Sequence, residues 1–429
     1  MTGRASWLAA VAVAAASCNH DVNLTAPRAD GGGGSGTAGT SSTGGRGGGS
    51  AGTGGTTGTG GSAGTSGTPA CSGSGTPIVL PTTTGAPCAA ALVTRGHRFV
   101  LCSCGDMSAS AQIRSDAFDS RNPTVTDESA AAYGINGNLN AIGEIRAGGA
   151  IYVAGSAGVT ASSQFRTTSG SLRVAGPMTM LSSDNADIGG DAYINGNVTG
   201  NVRVSGTLHV PAGAALTGGV EYGTLAPNET VSVPPPCDCS AGFVDVASAI
   251  AAAAANNADA TIPIVPTELA AATAARIINL YCGTYYLTAV DAMAGVTLVV
   301  HGRVLLAVAG DFTVRYGFSV QLDPSAELDL LIGGGLTTRN GGTFGATTAP
   351  ARFRVWIAGT SSVVFDNAPW IGAVVHAPAA AVTASAGLPL SGSILARSIS
   401  IGADSTLHYD RAILAAGSIC GEPAAAVVP

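Results

Sequence analysis

Apolar residues fall at every second position along most of this chain, in short runs closed by Gly, Asn-Gly or Pro. One phrase recurs three times, at residues 145–153 (IRAGGAIYV), 172–180 (LRVAGPMTM) and 202–210 (VRVSGTLHV). Period-2 alternation in short runs that repeat along one axis predicts strands stacked as a β-solenoid. Ile145, Ala147, Ile151, Val153, Leu172, Val174, Met178, Met180, Val202, Val204, Leu208 and Val210 are then the inward positions. A looser repeat, residues 133–139 and 193–198, places Asn-Gly at turns, where stacked Asn side chains can bond from rung to rung.

The alternation breaks at Pro234, Pro235 and Pro236, after which Phe243, Val246, Ala247 and Ile250 recur at helical spacing before an Ala run. It resumes through Val296/Leu298/Val300, Val304/Leu306/Val308, Leu328/Leu330/Ile332, Phe353/Val355/Ile357 and Ile399/Ile401. The expected fold is all-β, a right-handed parallel β-helix in two blocks, 79–232 and 289–415. A short helical insertion at 233–288 separates them, and a tail, 416–429, follows. A sandwich built from hairpins shares the same periodicity and is the alternative.

The amino terminus changes the picture. Arg4, the apolar stretch from Trp7 to Ala14 and small residues up to Cys18 read as a signal peptide over 1–17, too short to span a bilayer. The residues before Cys18 resemble a bacterial lipobox, which makes Cys18 the expected lipid attachment site. Residues 18–78, dominated by Gly, Ser, Thr and Ala, form an expected disordered tether. Its roughly 45 most biased residues would reach about 35–40 Å as a random coil.

Only 10% of residues are charged, and the net charge of −7 offers no basic field for nucleic acid. All 19 basic side chains are Arg, and the absence of Lys excludes Schiff-base chemistry and a Walker-type lysine. Besides Cys18 there are eight cysteines: Cys71, Cys88, Cys102, Cys104, Cys237, Cys239, Cys282 and Cys420. In an exported chain they are disulfide candidates, although their spacing leaves on the order of a hundred pairings open. The two Cys-x-Cys pairs lack the spacing of structural zinc knuckles, and no Cys-x-x-Cys is present.

Superposing the three phrases puts Arg146, Arg173 and Arg203 in register as an outward stripe, with Tyr152, Thr179 and His209 beside it. Such a stripe would grip carboxylates or phosphates. The acidic groups Asp184/Asp187/Asp191 and Asp323/Glu327/Asp329 read as turns and solvated loops rather than a glycosidase pair. His301, His376 and His408-Tyr409-Asp410 come without a nucleophile motif or metal-ligand spacing, and read as packing residues. No cofactor or metal is expected.

Residues 115–121 (SDAFDSR), 281–287 (YCGTYYL), His301-Gly302, 322–330 (LDPSAELDL), His376-Ala377-Pro378, 392–396 (GSILA) and 407–410 (LHYD) follow one another in order. This string resembles an exported bacterial domain of unknown function, which implies a parallel β-helix found in myxobacterial-type lipoproteins and beside pilus-assembly modules. A weaker resemblance is to bactofilins, which are shorter and cytoplasmic. The expected role is a noncatalytic envelope surface lipoprotein, anchored to the membrane of a Gram-negative cell and binding acidic polysaccharide. A carbohydrate-active enzyme on the same scaffold, or a self-assembling or pilus-associated component, are the alternatives.

Overall fold

The computed structural model describes residues 97–415 except 123, 125–127, 160–163, 182–184, 240–243 and 368. The signal peptide, Cys18, Cys71, Cys88 and Cys420 lie outside the described residues. Strands stack in parallel as a β-solenoid of about 13 turns. Each regular turn contributes three short strands, one to each of three faces. Ile151 pairs with Leu172 and Leu172 with Ala192, so these turns are 21 and 20 residues long.

Inward residues form one continuous core, aliphatic in the first block and phenylalanine-rich in the second. Phe312, Phe318, Phe344, Phe353 and Phe365 pack ring against ring there, with centroids 5.0–6.4 Å apart among the contacting pairs. At the turns, Asx side chains accept backbone amides from the next rung: Asn138 from Ser156 and Asn197 from Ala215, each at 2.9 Å. Asp106 and Asp311 do the same for Asn138 and Gly335. The Asn-Gly turns thus bond from rung to rung, but through the following residues Asn138 and Asn197 and to backbone amides rather than as stacked Asn side chains.

Chain order and spatial order differ. The first strand, Leu101–Ser103, lies between Tyr133–Ile135 of its own block and Leu390–Ile401 of the second block, pairing in parallel with both. Met107–Ala109 pairs likewise with Leu139–Ala141 and Leu390–Ile401. Ile113–Phe118 is held between Ile145–Ala147 and Ser405–Asp410. The second block thus ends where the first begins, and the two form one stack with a seam in its middle. Residues 276–410 come first along the axis and residues 99–227 follow.

This arrangement requires residues 228–275 to run back from one end of the stack to the other. They pass the seam, where Cys237 bonds Cys102 and Cys239 bonds Cys104, each pair 135 residues apart. Helix α1 (Val246–Ala255), N-capped by Asp245, then packs on the strands Gly283–Leu287, Arg303–Val308 and Glu327–Ile332. Residues 258–272 close the far end through backbone bonds to Thr284, Thr288 and Asp291. Strands resume at Arg276–Leu280, inside the segment that the sequence assigns to the insertion. No described helix is long and apolar enough to cross a membrane.

Candidate functional site

Three outward surfaces result, and the register along the stack defines what each presents. The first face is covered by the returning segment over the second block and across the seam. There the outward positions Leu305, Leu331, Trp356, His376, Leu395 and Cys102 are buried as fully as the inward ones. Asp329 and Arg354 also lie on this covered side. Arg354 donates from Nε and Nη2 to Asp329 at 2.7 and 2.8 Å, and Trp356 Nε1 donates to Asp329 at 2.9 Å. Burial pushes the Asp329 carboxyl up, but Arg354 outweighs it and holds the group below its usual range. Asp329 and Glu327 are therefore strand residues in a paired network, not solvated loop acids as their clustering suggested.

Beyond the cover, the outward column of the first face presents the half-buried Tyr152, Arg173, Tyr193 and His209 on successive turns. The Arg173 guanidinium sits 4.2 Å over the Tyr193 ring, which stacks on His209 at 4.1 Å and 3°. His209 Nδ1 meets Glu229 at 2.6 Å. Arg173 and His209 thus occupy the Tyr193 ring, and Tyr193 covers one face of His209, so Tyr193 offers no open platform for a sugar ring.

The expected register of three arginines needs correction. Arg173 belongs to the first face, whereas Arg146 and Arg203 belong to the third, and Thr179 lies on the second. The phrase 172–180 starts one face later than 145–153 and 202–210, because its offset of 27 residues spans one turn and one further strand. The third-face column reads Arg114, Arg146, Arg166, Asp187, Arg203, Glu221. Sequence reading missed Arg114 and Arg166, which share the outward parity of their strands. Asp187 lies 3.3 Å from Arg166 and Glu144 lies 3.9 Å from Arg114, so two of the four arginines of the column are paired.

The second face is different. Its central column reads Asp291, Thr313, Thr337, Val364, Thr383 and Ser400 up to the seam. Ser108, Asn140, Gly158, Thr179, Thr199 and Thr217 continue it beyond. Ser108 donates to Ser400 at 3.1 Å across the seam, so the row is continuous there. Eight of these twelve positions are Thr or Ser, and every position after Asp291 is uncharged. Rungs of a parallel stack repeat at about 4.8 Å, which fixes the spacing of the hydroxyl groups.

His408 pairs with Asp116 at 2.5 Å, and His301 lies between Asp323 at 2.8 Å and Asn279 at 3.1 Å. Among the described residues no group of three or more His, Cys, Asp or Glu side chains is arranged to hold a metal ion.

Residues 226–415 match the profile of a domain of unknown function (DUF7305). No curated protein matches the chain. Among solved structures, the crystal structure of an ice binding protein from an Antarctic bacterium, Flavobacteriaceae, is similar to it. That similarity has 10% sequence identity and a TM-score of 0.20, over 71% of this chain and 81% of the other.

Proposed function

We propose that this protein is a noncatalytic adhesive solenoid of the cell envelope, exported, anchored through Cys18 and held off the membrane by its Gly/Ser/Thr-rich tether. Its working surface is the second face, and its ligand is a neutral, repetitive polysaccharide. The observation that carries this reading is the uncharged hydroxyl row that runs across both blocks without a break at the seam. Each hydroxyl contributes little alone, but a rigid row meeting a repetitive partner gains through multivalency. Acidic polysaccharide is the weaker candidate, because two of the four third-face arginines are paired with Glu144 and Asp187, Glu221 follows Arg203 in the column, and Arg173 is not among them. A second reading is the surface of crystalline water. The fixed repeat of Thr methyl and hydroxyl groups, without charge, suits an ordered lattice equally.

The test is retention of the purified mature chain on insoluble neutral and acidic polysaccharides and on growing ice, with T179R/T383R beside R146A/R203A. Both threonines are exposed and lie on different blocks, so the arginines obstruct the row with little effect on the core. Retention on a neutral glycan should fall at least ten-fold in T179R/T383R, stay unchanged in R146A/R203A and vary little with salt. Ice retention lost in T179R/T383R selects the second reading. Salt-sensitive retention lost only in R146A/R203A returns the site to the third face. Released oligosaccharide makes the protein an enzyme.

A further inference from the structure

The seam carries a buried polar chain that the adhesive reading does not use. Ser393 Oγ, from the second block, donates to the Phe99 carbonyl of the first at 2.6 Å. His97 Nδ1 lies 3.0 Å from Ser393 Oγ, and His97 Nε2 lies 3.3 Å from His376 Nδ1. His97 precedes the first strand and His376 sits on Trp370–Ala384, so each of these three contacts crosses between the blocks. Both imidazoles are buried, and Tyr409 further fixes His97 by donating to its carbonyl at 2.8 Å.

Counting protons fixes the tautomers. Ser393 has a single proton, directed to Phe99, so it must accept from His97 Nδ1–H. That leaves His97 Nε2 as an acceptor, and His376 must donate from Nδ1. A proton added to His97 Nε2 would set two N–H donors face to face. A proton added to His376 Nε2 keeps the hydrogen bond but buries a charge.

The facing groups do little to relieve this. Asp238, between the two disulfide cysteines of the returning segment, is the acid that favours a charged His376. The Arg98 guanidinium is directed to the Pro236 carbonyl. Arg354, separated from Ser393 by Val374 on the outward column, is neutralised by Asp329 and Glu327. The Tyr409 phenol is engaged, and Asp410 beside it accepts amides from Ser120 and Ala412. Trp356, 5.1 Å from His376, is neutral. The His408–Asp116 pair also crosses the seam, but it is only half-buried and partly screened by solvent.

We propose that the His97–His376 pair is an acid-sensitive latch, which holds the two blocks together at neutral pH and opens the seam when its imidazoles are protonated. Burial lowers both histidines, His97 well below its usual value, with the His376 charge acting further against it, and His376 to about 4. The sign follows from linkage. An opened seam binds protons with an ordinary histidine affinity, near 6.5, whereas the closed seam refuses them. Closure is therefore fully stable above about pH 6.5 and weakens as the pH falls from there towards about 4. With two protons involved, the opening constant rises by up to about a hundred-fold per pH unit in that window. The disulfides to Cys102 and Cys104 are untouched by acid and confine the opening to the seam.

Hydrogen exchange of the full mature chain tests this at about pH 7 and about pH 4.5, corrected for intrinsic rates. Peptides covering Leu101–Ser103 and Leu390–Ile401 should lose at least ten-fold more protection than those covering Val296–Val300 and Phe318–Leu322. H376Q should retain roughly half of the acid effect on a logarithmic scale, and H97Q/H376Q should lose it. Histidine NMR of the unmodified chain provides a readout that needs no variant to fold: two imidazoles should stay neutral at about pH 5. Uniform loosening, acid sensitivity retained in H97Q/H376Q, or no imidazole resisting protonation would each overturn the latch.

Discussion

Replacement of Arg354 by methionine is expected to destabilise the protein by about 3–5 kcal/mol at neutral pH, because it leaves a buried carboxylate without its cation. Asp329 is 4% exposed and receives two hydrogen bonds from Arg354. Trp356 Nε1 would remain as its single side-chain donor. The effect should have a pH signature. In the native protein Asp329 is held below its usual value, so its contribution is present at neutral pH and lost as the pH falls through the folded-state value. In R354M burial dominates, the carboxyl rises, and the deficit should shrink as the pH approaches about 5. Lysine at 354 restores the charge but not the paired geometry, and should recover only part of the loss. D329L/R354M, which removes both charges, should lie closer to the parent than R354M does. Urea unfolding at two pH values measures all four proteins. A deficit for R354M below about 1 kcal/mol, or one insensitive to pH, would mean that the pair is solvated rather than buried.

The sequence reveals the rungs more readily than the way they are assembled. Alternation at Ile145/Ala147 or Val202/Val204 is a local signal, set by the two-residue period of a strand, and it identifies inward residues on both sides of the seam. The runs 304–308 (VLLAV), 328–332 (LDLLI) and 353–357 (FRVWI) contain a further signal, since apolar residues at both parities require cover on both sides. That cover is α1 and its flanking segment, so the helix was legible as a helix but its seat was not. Asp329 and Arg354 are the polar exceptions within those runs, and polar residues in a doubly buried strand must pair. The seam has no local mark. Nothing near Leu101 indicates that Ile394 is its neighbour, and His97 and His376 become a pair only through that contact. Arg173 was misplaced for a related reason: a repeated phrase fixes strand parity but leaves open which of three faces the strand occupies.

Removal of both seam disulfides is expected to cost about 4–5 kcal/mol, whereas removal of either alone should cost about 1 kcal/mol or less. The asymmetry follows from topology. Cys102–Cys237 and Cys104–Cys239 close loops of the same 135-residue separation from two positions only two residues apart, one in the strand Leu101–Ser103 and one just past its end. Whichever forms first restricts the unfolded chain, and the other then closes a ring of only a few residues. In the native state the clasp fixes the returning segment across the strand Leu101–Ser103. Asn136 supports it by donating to the Cys237 carbonyl and accepting its amide, each at 2.9 Å. The same strand must pair with Leu390–Ile401, nearly three hundred residues later, so its assembly has a high closure entropy without the clasp. C102A/C237A and C104A/C239A should therefore resemble the parent in urea unfolding. The fourfold alanine variant should lose most of its margin and refold more slowly. Equal and additive losses from the two pairs would refute the shared-loop account. An unaffected fourfold variant would show that the returning segment is held by packing alone, and that the seam needs no covalent support.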